Sequence, residues 1–356
     1  MTIPVHIVAT GARTPIGLHS ASSAAAYRAA ISGMGEHPFM IDQVGDPMPG
    51  ALDARLDPSM MGPSRLLAMA ETALREACSI LGDARVPQGR LPVYLGLPEI
   101  RPGFTRQDAE TVRSGLMRLE NLPMGISEVH VFTEGHAAGL SALAAADEQI
   151  KNGVVEICLV GGVDSYFHPD TMEWLDENRQ LAGAVSRSGF VPGEGAGFCL
   201  LMSEQSRARL GLISLARVVT VAVGRETKLI KTSDICLGVG LTAIVQNAVS
   251  ALATASEKIN TVICDINGER YRGEEWGFVC LRLSQHFDDP TAYWSPADCW
   301  GDVGAASGPL FATLACQGSA RGYANGPRSL LWASSEGGVR GVALLDTTSS
   351  AAGGVI

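Results

Sequence analysis

The segment from Val129 to Asp164 constrains the fold more than any other. It reads as a short strand, Val129–Phe132, followed by the turn Thr133-Glu134-Gly135-His136. A helix is predicted over Ala137–Asn152, then a second apolar strand, Glu156–Val160, ending in Gly161-Gly162. The helix is mostly Ala and Leu, which predicts that it is buried, and Gly153 stops it. Small residues of this kind suit close packing of helices on sheets in a layered α/β protein.

The same alternation extends along the chain. Before this segment, strands are predicted at Val5–Thr10 and Leu91–Leu97, and helices at Leu18–Gly33, Ser64–Leu81 and Arg106–Leu122. Apolar residues at Leu66, Leu67, Met69, Ala70, Ala73, Leu74, Ala77 and Cys78 give the second helix one apolar face. Residues 38–62 hold several Pro, Gly and Asp and read as a long connection. After the segment, the glycine-rich turn 189–197 leads into a strand at Phe198–Met202. The second half repeats this grammar loosely. It has strands at Ile213–Val223, Asn260–Ile266, Ser329–Ser334 and Gly341–Leu345, a helix at Leu241–Ala255, and a glycine-led helix over Gly301–Gln317. Two such halves suggest an internal duplication.

Composition narrows the function classes. With 356 residues, of which 46% are hydrophobic and 18% charged, the chain can bury a large core. A net charge of −10, with no basic cluster, makes nucleic acid an unexpected partner. No 18-residue apolar run predicts a membrane span, and Met1–His6 reads as the approach to a first strand, not as a signal peptide. None of the eight cysteines forms a CxxC pair, and several sit in apolar strand-like runs. Free thiols in a reducing cytoplasm are the expectation, with no zinc site and no cofactor.

Several motifs together resemble the beta-ketoacyl synthase family. Gly189-Phe-Val-Pro-Gly-Glu-Gly-Ala-Gly197 is similar to that family's GFVxGEGAG turn. From His136-Ala-Ala-Gly139 to Val160-Gly-Gly-Val-Asp164, the interval matches the family's nucleophile elbow and GG-acid strand end without a gap. Thr10-Gly11 to Pro15-Ile16-Gly17 resembles its opening turn. Gly301-Asp-Val-Gly-Ala-Ala-Ser-Gly308 resembles its GHxxGAAG helix start, and Ser335-Glu-Gly-Gly338 its closing loop. The resemblance implies a thiolase-like fold of two duplicated α/β halves in five layers, usually a dimer. We expect an N-terminal half over 1–207, with the elbow at His136, and a C-terminal half over 208–356.

The family's chemistry uses an elbow cysteine that takes an acyl chain as a thioester. Two histidines assist decarboxylation of a malonyl unit, and a lysine supports one of them. Here the cysteine position holds His136. The first histidine position holds Asn267, and the second holds Asp302 with a one-residue difference in spacing. The lysine position falls near Ala297, and the closing-loop phenylalanine is Glu336. Only His286, in a polar segment, represents histidine in the C-terminal half. The resemblance therefore implies that His136, Asn267, Asp302 and Glu336 surround one pocket.

Each position has a functional and a structural reading. His136 reads either as a general base or acyl acceptor, or as a relic that keeps the elbow's shape. Glu134 reads as a partner of that imidazole or as a solvated turn carboxylate. Arg270 and Arg272 read as counter-charges to the acids or as ligands of an anion. The stretch from Asp265 to Glu275 reads as a charged surface loop whose first residues line the pocket. Glu194 and Asp164 read as structural carboxylates. Cys299 reads as core, with a displaced nucleophile as the lesser alternative.

The functional expectation is a ketoacyl-synthase-like protein of acyl-thioester metabolism, of the fatty acid or polyketide type. It would lack the standard condensation and act as a non-condensing homologue or partner subunit. The alternative is an active acyltransferase or thioester hydrolase using His136 with Asn267, Asp302 and Glu336. The partners implied are an acyl thioester on acyl carrier protein or coenzyme A, and either a second copy or a ketoacyl synthase.

Overall fold

A computed structural model describes residues 3–83, 89–183, 186–229, 232, 234–254 and 256–348. The strands are β1 (Val5–Arg13), β2 (Gly35–Ile41), β3 (Pro47–Gly50), β4 (Arg90–Leu97), β5 (Gly125–Thr133), β6 (Ile157–Ser165), β7 (Glu194–Ser203), β8 (Ala216–Arg225), β9 (Thr261–Cys264), β10 (Arg328–Ser334) and β11 (Val339–Asp346). The helices are α1 (Ser20–Arg28), α2 (Gly62–Cys78), α3 (Ile80–Asp83), α4 (Arg106–Met117), α5 (Ala138–Lys151), α6 (Pro169–Glu177), α7 (Glu204–Leu210), α8 (Val239–Val249), α9 (Arg270–Leu283), α10 (Ala297–Trp300) and α11 (Ser307–Ala320).

Nine strands form one mixed sheet in the order β5-β4-β6-β7-β1-β8-β11-β10-β9. Its two ends repeat one pattern. From β1 through β7 and β6 to β4, the pairings run antiparallel, antiparallel, parallel. From β8 through β11 and β10 to β9, they run in the same sequence. The first end carries one more strand, β5, parallel to β4. The antiparallel β1–β8 pairing joins the ends through Val5, His6 and Ile7.

Strand residues alternate between two apolar environments, as the two-residue period of a strand requires. In β10, Leu331 and Ala333 face a central core containing residues of α5 and α11, while Leu330 and Trp332 face residues of α8 and α9. In β7, Cys199 and Leu201 share the central core, while Phe198, Leu200 and Met202 pack with residues of α2 and α4. Helices α5 and α11 touch strands from both ends of the sheet. The result is helix, sheet, helix, sheet, helix: the expected five layers. With both faces covered, β6, β7, β10 and β11 are almost continuously buried.

Three expectations need correction. The connection expected over 38–62 contains most of a hairpin, β2 with β3. Its Pro and Gly residues lie within and beside two short strands, so their presence hid the pairing. The charged loop expected over Asp265–Glu275 becomes helix at Arg270, because Tyr271, Trp276, Val279 and Leu283 give α9 a buried face. The helix expected from Ala137 opens instead as a 3₁₀ turn, Gly135–Ala137, which continues into α5. No helix among the described residues is long and apolar enough to cross a membrane.

Candidate active site

Two equivalent turns build the site. One is Gly135–Ala137 before α5; the other is Gly304–Ala306 before α11. Both glycines have left-handed φ, +65° and +46°. A side chain at Gly304 would place its Cβ 2.0 Å from Asp164 Oδ2. That carboxylate accepts the Ala305 backbone N–H at 2.9 Å and the Arg101 guanidinium at 2.6 Å. Asp164 thus fixes the second turn against the end of β6, the structural role expected for it.

The glycine-rich turn holds the other side. Asp302 N donates to Val191 O, and Gly193 N donates to Asp302 O, both at 2.8 Å. Glu194, fully buried, accepts Asp53 N at 2.7 Å and is gripped by Arg65 at 2.5 and 2.6 Å. The closing loop completes the frame: the Ser335 hydroxyl accepts Ala137 N at 2.8 Å and donates to Glu134 O.

Inside this frame the His136 imidazole meets Asp302. Nε2 lies 2.9 and 2.8 Å from the two carboxylate oxygens, with the residues 7% and 3% exposed. Asp302 also accepts from Asn267 Nδ2 at 2.5 Å, the Tyr166 hydroxyl at 3.1 Å and Gly304 N at 2.8 Å. Arg272, 1% exposed, brings Nη2 to 3.2 Å from His136 Nε2. Its other nitrogens bond Asp265 at 2.5 Å, Glu269 at 3.1 Å and the Ser334 carbonyl at 2.7 Å. Two cationic groups this close depend on the carboxylates around them.

The charges shift one another. Burial and the Arg272 charge push the His136 pKa down, but the charge and hydrogen bond of Asp302, with Asp265, outweigh them and leave it raised. Burial pushes Asp302 up, and His136, Arg272 and the Gly304 N–H reverse that, holding it well below the usual carboxylate range. Burial is the main cause of the raised Asp265 and Glu99 values.

The expected residues divide into those that meet and those that do not. His136, Asp302 and Asn267 form one network. Glu336 does not join it: it takes a hydrogen bond from Gln180 at 2.6 Å and stands across a cleft. That cleft, about 200 Å³, is lined by Glu99, Arg101, Tyr166, Trp174 and Glu336, and opens onto His136. Glu134 makes no side-chain hydrogen bond to His136; its buried Oε2 has no hydrogen-bond partner among the described residues. Arg270 faces solvent, its side chain 80% exposed and paired with Glu274. The buried arginine is Arg272, two residues on. The expectation missed Tyr166 and Arg101, and gave Ser335 no role beyond its place in the closing loop.

No thiol is poised for nucleophilic attack. All eight cysteines are free, and burial pushes every thiol pKa up, Cys78 and Cys316 to about 12. Cys299 lines a different cavity, beside Tyr27 and Trp294. The Tyr166 hydroxyl lies 3.5 Å from His136 Nε2, and burial holds its pKa well above 10.

Residues 129–207 match the model of the beta-ketoacyl synthase N-terminal domain. Over 100 residues the chain is 32% identical to Nodulation protein E of Rhizobium leguminosarum bv. trifolii, a stretch covering 26% of this chain and 25% of that protein. Similar solved structures include the ishigamide ketosynthase/chain length factor, with a TM-score of 0.79 and 17% identity over 98% of this chain and all of that one. A chain from a type II PKS acyl-carrier protein in complex with its ketosynthase, bound to the hexaketide, gives 0.78 and 16% over 98% and 100%. A ketosynthase from module 6 of the bacillaene synthase of Bacillus subtilis 168 gives 0.77 and 14% over 97% and 72%. Residues 129–207 are thus similar to the beta-ketoacyl synthase N-terminal domain, and the chain as a whole shares the thiolase-like fold of these ketosynthase structures.

Proposed function

We propose that this chain is a non-condensing member of its family, composed of halves 1–207 and 208–356, that serves acyl-thioester metabolism as a partner subunit of a ketoacyl synthase. One observation carries the reading. The position that the resemblance gives to an acyl-accepting thiol holds an imidazole engaged by Asp302 and Arg272. Asn267 and Asp302 stand at the histidine positions and bond each other. Decarboxylation needs donors aimed at a developing enolate. Here the nearest donors, from His136, Asn267 and Arg272, are already bonded to carboxylates. The similar ishigamide structure pairs a ketosynthase with a chain length factor, and another pairs one with an acyl-carrier protein. We take both as the partner classes for this chain.

The test uses malonyl and acyl thioesters of acyl carrier protein and coenzyme A. We expect no CO₂ release and no covalent adduct by intact mass, and a heterodimer on mixing with a ketoacyl synthase from the same source. An acyl adduct on any cysteine overturns the non-condensing reading. A chain that only self-associates overturns the partner role.

A second reading is an acyltransferase or thioester hydrolase that uses His136 with Asn267, Asp302 and Glu336. The direct His136–Asp302 contact favours it, since a carboxylate can orient an imidazole base. Thioester turnover that disappears in His136→Ala would establish it in place of the first.

A further inference from the structure

A second cavity lies between α1, α10 and the end of α11, apart from the His136 cleft. It encloses about 490 Å³ and is walled by Tyr27, Trp294 and Tyr323. The rings are neighbours. Tyr27 and Trp294 lie 6.0 Å apart between centroids, and Trp294 stacks on Tyr323 at 6.1 Å with 27° between planes. Gly318 of α11 seats the last two: a Cβ there would come within 3.2 Å of Trp294 and 3.3 Å of Tyr323. All three rings are only partly buried, so part of each π surface is left to the cavity.

The cavity carries its own polarity. Asp298 lines it, is exposed, and has no counter-cation among the described residues. The wall already attracts one cation of the chain itself, since the Arg28 guanidinium lies over the Tyr323 ring at 4.4 Å. Electron-rich ring faces beside an uncompensated carboxylate favour a cation with an apolar body, because the rings supply both quadrupole and contact area. The volume is in the range of small-ligand sites.

We propose that this cavity is a binding site for a small organic cation of the alkylammonium class. The ammonium lies against Trp294 and Asp298.

Equilibrium dialysis of the full chain with radiolabelled choline tests this, with 3,3-dimethylbutan-1-ol as competitor because it has the same shape without the charge. We expect saturable choline binding, and competition by the neutral isostere at least about tenfold weaker than by unlabelled choline. Asp298→Asn, an exposed change that leaves the fold intact, should weaken binding at least about threefold, and Trp294→Leu should do the same. Absence of saturable binding, equal competition by the alcohol, or an Asp298→Asn affinity within twofold of wild type overturns the proposal.

Discussion

Replacing Asp302 with Asn tests the electrostatic account of the site most directly. The side chain keeps its volume and loses its charge. Its oxygen can still accept from Gly304 N and Tyr166, both of which bond Oδ1. Its new amide, however, points at Asn267 Nδ2 and His136 Nε2, both of which are donors to the present Oδ2. The change thus removes the anion between two cationic groups and sets donors against donors. Removing one partner of a buried pair costs about 3–5 kcal/mol. Two accepting bonds survive, so we expect a loss of about 3–4 kcal/mol in unfolding free energy near neutral pH.

The pH profile separates this loss from a packing defect. The pKa of His136 is raised, so its contribution is complete below the ordinary value of 6.5 and fades as pH rises through the folded value. The pKa of Asp302 is lowered, so its contribution is complete above 3.8 and fades as pH falls through its folded value. Wild-type stability should therefore fall on both sides. In Asp302→Asn the Asp302 limb vanishes and the His136 limb reverses: burial and Arg272 drive the His136 pKa below 6.5, so its contribution is lost as pH falls. Denaturant unfolding across a pH series and NMR titration of His136 read the two effects. A loss under about 1 kcal/mol, or an imidazole in the variant that still titrates above 6.5, would refute the account.

Other changes probe separate parts of the structure. His136→Cys places a thiol beside the Arg272 guanidinium, and mass spectrometry should show it alkylated by iodoacetamide at least about tenfold faster than any native cysteine. Gly304→Ala forces a left-handed φ and a clash with Asp164; we expect a loss of about 3 kcal/mol by denaturant titration. Arg270→Ala removes only a solvated pair with Glu274 and should stay within about 0.5 kcal/mol of wild type, whereas Arg272→Met, stranding Asp265 and Glu269, should lose about 3 kcal/mol or more.

Much of this architecture is legible in the sequence. The interval from His136 to Asp164 and the turn at Gly189–Gly197 place the elbow, because each needs small residues at fixed backbone positions. Positions 136, 267 and 302 meet as the resemblance implies. The error lies in choosing between neighbouring arginines. Charge alone does not distinguish Arg270 from Arg272, but helical spacing does. Arg272 stands three or four residues before Glu275 and Trp276, which precede Val279 and Leu283 on one buried face. Reading 265–275 as a loop discarded that signal. Tyr166 carries no local signal; it reaches the site because β6 ends beside it.

The Arg272 side chain bonds Asp265, just past β9, and Ser334 of β10, and touches the turn that opens α5. The centre of the site is thus also a joint between parts of the molecule. A mutational scan that scores only abundance in cells would then mark His136, Asp302 and Arg272 as intolerant, as it would the residues of a working active site. Abundance alone therefore does not separate a residue that holds the chain together from one that serves a reaction.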